Sequence, residues 1–596
     1  VFVAGIYNFS NIKLIDKLNS ISSKIVSIDK QNISKNKLHI ITGKKSDLAN
    51  QGDVLIVDNM LLTGKVYNKK SYNPITRKEF LEYSLLPFEY FVDNFWGNYI
   101  CLRHNNDKLE ILRDPVGQLP LFYSILKNGE IIFSSELEVV SKLSNNTDYN
   151  WNYLCSYIVH GFITSSQTFF NNIYELPHGC KLDFDSNSEQ EKTSVAWNPK
   201  DYLRNCDNLC DTHENIIQIT SSVIKSWASD SDVISLDFSG GTDSTGLLFI
   251  LNEIFGNNKE IKLINMYHPE VSASDEREYA RSIAKQLGLS LIEFDHSKSM
   301  PFDPDLRVMK CKPNWPTSIL SYQKINNDVS DIMSDRKNVM YVSGHGGDHI
   351  FSCPPPITSL CDYLMDEGIN GFGNKLLDIY TIYRKPLFPV IYDVFKGFFS
   401  YYALKYESPS YHLYTYKKAP WLHKDAFIKA NQLDYHPFFK MTNQKKCYPG
   451  EFSFIDTIYS GLSTIKTDIR DRGLNSLFFP LFSQPLLELA LSIPTYQSYY
   501  NGYNRYQFRK AISDRYKTNS VWRMDKGETS GVSQKGMKTN KKRIIELCME
   551  GKLVKQGLID KDLLYIGLQE VINGKKDYQW AITNLFCAEL FITYWD

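Results

Sequence analysis

The sequence has no excess of charge of either sign: 67 Lys and Arg stand against 67 Asp and Glu over 596 residues, a formal net charge of zero. General nucleic-acid binding needs a basic face to neutralise phosphates, so a neutral chain argues against it. Long apolar runs are missing too. The longest aromatic-rich stretch, Pro386 to Tyr402, is interrupted by Asp393 and Lys396 and is too short and polar to span a bilayer, so no integral membrane segment is expected. Val1 to Ile6 is a short strand-like run without a basic n-region or a cleavage site; no signal peptide is read there, and the cytoplasm is the expected compartment. The 11 cysteines are scattered, odd in number and lack CxxC spacing. Cys206 and Cys210 are the closest pair, and with no second pair or His cluster beside them free thiols are a better reading than a zinc site.

What is present begins with size. A chain this long exceeds one hydrophobic core, which predicts two main domains. Residues 1 to 207 carry many short β-like runs between polar turns, such as Lys37–Ile41 and Asp53–Val57, and should form a β-rich layered domain. The polar stretch Asn205 to Thr212 precedes a helix-like run, Ile216 to Trp227, and places a second domain over 208–596.

That second domain is organised around Val233 to Leu251. A β-branched apolar run enters, Ser239-Gly240-Gly241-Thr242-Asp243-Ser244 turns, and an apolar run with helical spacing leaves. Glycines let backbone N–H groups approach an anion, Ser239 and Ser244 add hydroxyls, and the helix start adds its positive dipole end. Asp243 beside phosphates makes sense only with a divalent cation between them. Strand Ile261–Tyr267, a helix over Ser274–Gly288 capped by Ser274, and strand Leu291–Phe294 repeat the βαβ pattern. They predict a parallel, doubly wound sheet with its ligand at the carboxyl ends of the strands. A fourth strand, Val339–Val342, runs into Ser343-Gly344-His345-Gly346-Gly347-Asp348. This loop is either another Gly-rich turn or the source of a second metal-facing carboxylate, Asp348, opposite Asp243.

Ser239 to Ser244 resembles the pyrophosphate loop of the N-type ATP pyrophosphatases, and no Gly-Lys-Ser/Thr follows to make it a Walker loop. The second loop resembles the Ser-Gly-x-Gly-x-Asp loop of the asparagine synthetase family. Upstream, Asn94–Ile100, Leu112–Tyr123, Phe133–Leu137 and Phe170–Gly179 are similar, in this order, to the N-terminal glutamine amidotransferase domain of that family. The resemblance implies an Ntn amidotransferase-like fold ahead of an adenine nucleotide α-hydrolase (PP-loop) sheet with helical additions. It further implies ATP and Mg²⁺ as cofactors, Asp243 and Asp348 as metal ligands, and Ser239, Gly240, Gly241, Asp243, Ser244, Met266, Ser343, Gly344, Gly346 and Arg523 around the nucleotide. In Val521 to Gly527 the string Arg-x-x-Lys-Gly resembles the segment whose lysine, here Lys526, reaches the adenylate and the leaving pyrophosphate. The neighbouring Arg505 and Arg509 read as part of a solvated cationic face.

Two departures from the family pattern matter. Glutamine-using members begin with a catalytic Cys followed by Gly-Ile, whereas here Ala4 precedes Gly5-Ile6; a methyl group cannot attack an amide, so glutaminase activity should be missing. Ser483 stands where an Asp is usual, in the degenerate stretch Phe479 to Glu488. The residue after Ser-Gly in the second loop separates the subfamilies, Glu in asparagine synthetases and Tyr in β-lactam synthetases; here it is His345. With Trp315-Pro316 upstream, this looks most like a lasso peptide cyclase, which implies a precursor peptide as substrate and a leader peptidase or leader-binding partner. Closure of a small β-lactam or ammonia-dependent amidation are the alternatives. A tRNA-modifying member would need a basic face, and a non-catalytic scaffold should lose Asp243 or Asp348. An imidazole, with its ordinary pKa near 6.5, either takes the proton of the attacking amine or only hydrogen-bonds a phosphate or the loop. The Tyr- and Phe-rich stretch from Ser352 to Gln444 either shapes a substrate pocket or packs a core.

Overall fold

The computed structural model describes residues 2–8, 12–25, 28–35, 37–44, 54–105, 107–163, 165–204, 209–303, 312–333, 336, 338–402, 419–431, 436–440, 447–471, 477–524, 527 and 530–596. The boundary expected at 207/208 therefore lies outside the described residues, as do Cys206 and Lys526.

The N-terminal part is two six-stranded antiparallel sheets. One runs, edge to edge, Tyr174–Glu175, Phe122–Ile125, Ile131–Ser134, Phe2–Tyr7, Leu38–Lys44, Ile28–Lys35; the other runs Gln190–Val195, Cys180–Asp185, Lys108–Arg113, Phe95–His104, Met60–Asn68, Val54–Val57. Side chains alternate along each strand, so each sheet has two faces to bury. Val3 and Tyr7 of the first sheet pack with Leu61, Ile100, Leu102 and Ile111 of the second, between the sheets. Phe2, Ala4 and Ile6 point the other way, into a core shared with the helix Trp151–His160 and the C-terminal helix Gln579–Trp595. The outer face of the second sheet, through Leu62, Val66 and Cys101, packs on the C-terminal part. Ala4 sits mid-strand and fully buried, paired with Ile41 on one side and Ser134 on the other.

Polar links also join the two parts. The Glu175 carboxylate accepts from Arg113 Nη1 at 2.8 Å and from Trp315 Nε1 at 2.8 Å, all three groups buried. Such a buried pair is held by its full set of partners, and removing one would leave an uncompensated charge at about 3–5 kcal/mol.

The C-terminal part is built on a five-stranded parallel sheet ordered Leu291–Asp295, Glu260–Tyr267, Val233–Asp237, Val339–Val342, Leu477–Phe478. The central strand is apolar and covered on both faces, with Ile234 and Leu236 fully buried. Each such side chain removed from water contributes about 1.5–3 kcal/mol. Chain order reverses between Val233–Asp237 and Val339–Val342, so the crevice of this doubly wound sheet opens past the ends of those two strands. The two Gly-rich loops follow those same strands.

One helix differs from its expected start. It runs Arg277–Gln286, and Ser274 lies in a 3₁₀ turn where its hydroxyl donates to the Val271 carbonyl instead of capping. Asp275 engages the N–H and guanidinium of Arg277, a local carboxylate turn that delays the helix. The helix ends as expected before Gly288, at φ +67°. Helices Ser359–Asp366, Phe372–Tyr383 and Leu387–Tyr402 fill much of the aromatic-rich stretch. Among the described residues no helix is long and apolar enough to cross a membrane.

Candidate active site

The first loop leaves the central strand at Phe238 and enters the helix Thr242–Phe255 through Gly241, where no side chain caps the helix. Its first-turn N–H groups are thus left to a ligand. Gly240 is left-handed at φ +76°, and a Cβ there would come 3.0 Å from the Ala280 nitrogen. Ser239 Oγ accepts from Gly241 N–H at 3.1 Å and lies 3.3 Å from Ser244 Oγ.

The second loop packs backbone to backbone on the first. A Cβ on Gly344 would lie 2.9 Å from Ser244 N, and one on Gly347 would lie 2.4 Å from Asp243 Cγ. Glycine at both positions lets two turns from different strands touch. Asp243 and Asp348 are thereby brought together, and between them lies a third group: Arg505 Nη1 donates to Asp243 Oδ2 at 2.7 Å and to Asp348 Oδ1 at 2.5 Å.

Arg505 is 6% exposed and Arg509 3%, so neither belongs to a solvated face, and that expectation is corrected. Arg505 sits at the left-handed residue (φ +51°) just before the helix Tyr506–Tyr516. That helix crosses Thr242–Phe255 closely, because Gly246 has no side chain where Phe508 packs; a Cβ on Gly246 would be 2.5 Å from Phe508 Cζ. Burial opposes the charge of Arg505, and the two carboxylates outweigh it, so its pKa is raised. Arg509 is lowered to about 10 by burial and by the charge of Arg505, and it donates to the carbonyls of Asn504 and Arg523.

Arg523 reaches the first loop from behind: Nη1 donates to the Gly240 carbonyl at 3.2 Å, while Nη2 pairs with Glu276 at 2.6 Å and the guanidinium lies over the Tyr279 ring. Glu276 also accepts from Gly527 N–H. Met266, next to last in its strand, is half-exposed beside Asn265, whose amide ties that strand to the Phe238 carbonyl.

These elements enclose a cavity of about 640 Å³. Of the expected site residues, Ser239, Gly241, Asp243, Ser244, Met266, Ser343, Gly344, His345, Gly346, Asp348 and Arg523 line it. Gly240 forms the back of the first loop. On the far side Thr381, Ile382 and Arg384 bring the aromatic-rich stretch to the cavity. His345 is exposed into it, and its Nε2 lies 3.1 Å from Thr464 Oγ1 on the helix Pro449–Asp471. Ser483 is not among the lining residues.

Sequence reasoning missed His296 and the pairing of Arg505. His296 lines the cavity past the end of Leu291–Asp295, and burial, then the adjacent His268, lowers its pKa. Neither position had a local signal, since each acts through neighbours remote in sequence.

A divalent cation suits this donor set. Two carboxylate oxygens that both reach one nitrogen of Arg505 lie close enough to share one small ion. Mg²⁺ typically takes one or two carboxylates and completes its shell with phosphate and water oxygens. Among the described residues no group of three or more His, Cys, Asp or Glu forms a self-sufficient metal cage.

Comparison with known proteins matches residues 89–195 to the glutamine amidotransferase domain and residues 218–362 and 476–596 to asparagine synthase. Asparagine synthetase (glutamine-hydrolyzing) 2 of Bacillus subtilis (strain 168) is 26% identical over 278 residues, 42% of this chain but only 36% of that protein. Microcin J25-processing protein McjC of Escherichia coli is 22% identical over 426 residues, 67% of this chain and 78% of that protein. Glutamine phosphoribosylpyrophosphate amidotransferase from B. subtilis aligns over 60% of this chain and 82% of its own at 11% identity, with a TM-score of 0.24 that carries no argument.

Proposed function

The chain is asparagine synthetase-like, with an amidotransferase domain ahead of an asparagine synthase domain, and from that premise we propose that it is an ATP-dependent, AMP-forming carbon–nitrogen ligase that closes a macrolactam in a precursor peptide. The observation that carries this reading is the meeting of two glycine-spaced loops at the switch point of the parallel sheet, over a cavity of a size typical of small-molecule sites.

The substrate carboxylate, from an Asp or Glu side chain, attacks the α-phosphorus of ATP and pyrophosphate leaves. The peptide's N-terminal amine then attacks the acyl carbon, AMP leaves, and the ammonium proton passes to a base. Ser239, Ser244 and the uncapped start of Thr242–Phe255 offer donors to the phosphates. Asp243 and Asp348 would hold Mg²⁺, which supplies charge neutralisation at the phosphates. His345 is placed on the second loop to take the amine proton. Lys526 is assigned to the adenylate on the resemblance of its motif alone.

Similarity to the microcin J25-processing protein over most of that protein's length favours a peptide over a small amino acid as the substrate. The helix Phe372–Tyr383, which brings Thr381 and Ile382 to the cavity, and the next helix, Leu387–Tyr402, leave apolar side chains such as Tyr380, Phe388 and Tyr392 exposed, which suits a peptide's side chains. A partner that binds or removes a leader segment belongs to the same proposal. Mass spectrometry of the purified protein with ATP, Mg²⁺ and a candidate precursor tests it: the peptide should lose one water with AMP formed in equal amount. An unchanged peptide across a panel of precursors, with ammonia or a small amino acid amidated instead, would refute the macrolactam reading.

A further inference from the structure

Arg505 occupies the place between Asp243 and Asp348 that a divalent cation would take. One nitrogen of its guanidinium serves both carboxylates, and the side chain is only 7% exposed. Half of the charge of the two acids is therefore already balanced by a group that cannot deprotonate and cannot diffuse away. A free cation arriving alone would have to displace a buried guanidinium from both of its partners and leave it without counter-charge, which is costly at low dielectric.

The other end of the same guanidinium is unsatisfied. Arg505 Nε is buried with no hydrogen-bond partner among the described residues, while the Arg505 side chain lines the cavity. A buried donor left unmade costs about 1–3 kcal/mol, and a turn of the side chain toward an anionic oxygen in the cavity would satisfy it. Carboxylates on one edge and an unused donor on the other describe a cation with two alternative sets of partners.

We infer that Arg505 is a positioning residue that holds the cation place closed until a nucleoside triphosphate arrives, then turns to its phosphates, so that the divalent ion enters only together with the nucleotide. This rests on the proposed ATP site. The triphosphate brings enough negative charge to pair with Arg505 and with the incoming ion at once, which neither carboxylate pair nor free cation can do alone. The left-handed backbone at Arg505, pinned by the close Gly246–Phe508 helix contact, fixes the Cα and leaves the change to the side chain. Arg509, committed to backbone carbonyls, cannot substitute.

Mn²⁺ binding to the full chain, followed by electron paramagnetic resonance, tests the inference. Wild type should bind Mn²⁺ at least tenfold more tightly with α,β-methylene-ATP present than without it. Arg505→Met should bind Mn²⁺ without nucleotide at least tenfold more tightly than wild type, and adding Asp243→Asn to that variant should abolish the gain. The melting temperature of Arg505→Met should rise with Mn²⁺ alone while that of wild type does not. Should Arg505→Met not fold, Arg505→Gln, which keeps a polar end without the charge, is read in its place, and unchanged nucleotide-free Mn²⁺ affinity in the folded variant would overturn the inference. Equal Mn²⁺ affinity of wild type with and without the analogue, when the analogue itself binds, would overturn the inference and leave the ATP site standing. Failure of wild type to bind the analogue at all would overturn both.

Discussion

His345 Nε2 lies 3.1 Å from Thr464 Oγ1, and the Thr464 hydroxyl donates its one proton to the Gly461 carbonyl at 2.7 Å. With its proton on Gly461, Thr464 accepts from Nε2, and in that tautomer Nδ1 is the nitrogen that can act as a base. His345→Ala should leave substrate-dependent adenylate formation nearly intact and slow ring closure about a hundredfold. Pyrophosphate exchange measures the first step and product formation the second. Equal loss of both would make His345 a phosphate ligand, and loss of neither would remove it from the chemistry.

The contact between the two loops makes a steric prediction. Gly347→Ala would place a methyl group 2.4 Å from Asp243 Cγ, closer than carbon atoms approach. Asp243 must shift, so turnover should fall at least a hundredfold while the unfolding temperature, dominated by cores elsewhere, drops only a few degrees. Near-wild-type turnover would mean that the loops do not touch as described.

Much of this was legible in the sequence because it is local. Ser239 to Ser244 and Ser343 to Asp348 each announce a strand, a turn and a helix start, and the βαβ rule sends both to one sheet edge. The clamp on the two acids was not legible, since Arg505 is 262 residues from Asp243 and 157 from Asp348, and a lone arginine carries no sign of its partner. The helix start moved from Ser274 to Arg277 because Asp275 competes for the backbone more strongly than the Ser274 hydroxyl does. Which face of Phe2–Tyr7 looks between the sheets followed only from strand pairing, because the strand is buried on both faces.

Ala4 leads to a second functional expectation. It lies fully buried in its strand, with neither thiol nor hydroxyl, at the position that the resemblance of the first residues gives to a glutaminase nucleophile. Glutamate release from glutamine should not exceed an enzyme-free blank, and Ala4→Cys should not create it, because the oxyanion donors and ammonia path of a glutaminase are separate requirements. Glutamate formation by the unaltered chain would contradict this reading.

Asp362 should give the protein a pH-dependent stability. Burial raises its pKa from 3.8 to about 8, while Gly450 N–H and Thr495 Oγ1–H hold the carboxyl from the helix side. A raised folded pKa means that the folded state keeps the proton longer. The group's contribution is fully present below about pH 4 and is lost as pH rises toward 8, at up to about 1.4 kcal/mol for each unit between the two pKa values. Asp362→Asn, which keeps the shape without the charge, should flatten urea-derived stability between pH 5 and pH 8.5 and match or exceed wild type at the upper end. An unchanged slope in the variant would show that Asp362 ionises in the folded protein as it does in the unfolded chain.

The nucleotide products test the central claim most directly. Chromatography of a reaction of the purified chain with ATP, Mg²⁺ and a competent peptide should show AMP and pyrophosphate, one of each per peptide closed, and Asp243→Asn or Asp348→Asn should abolish both without unfolding the protein. Formation of ADP and phosphate would contradict the account, because it would place cleavage at the γ-phosphate and not at the bond between the α- and β-phosphates.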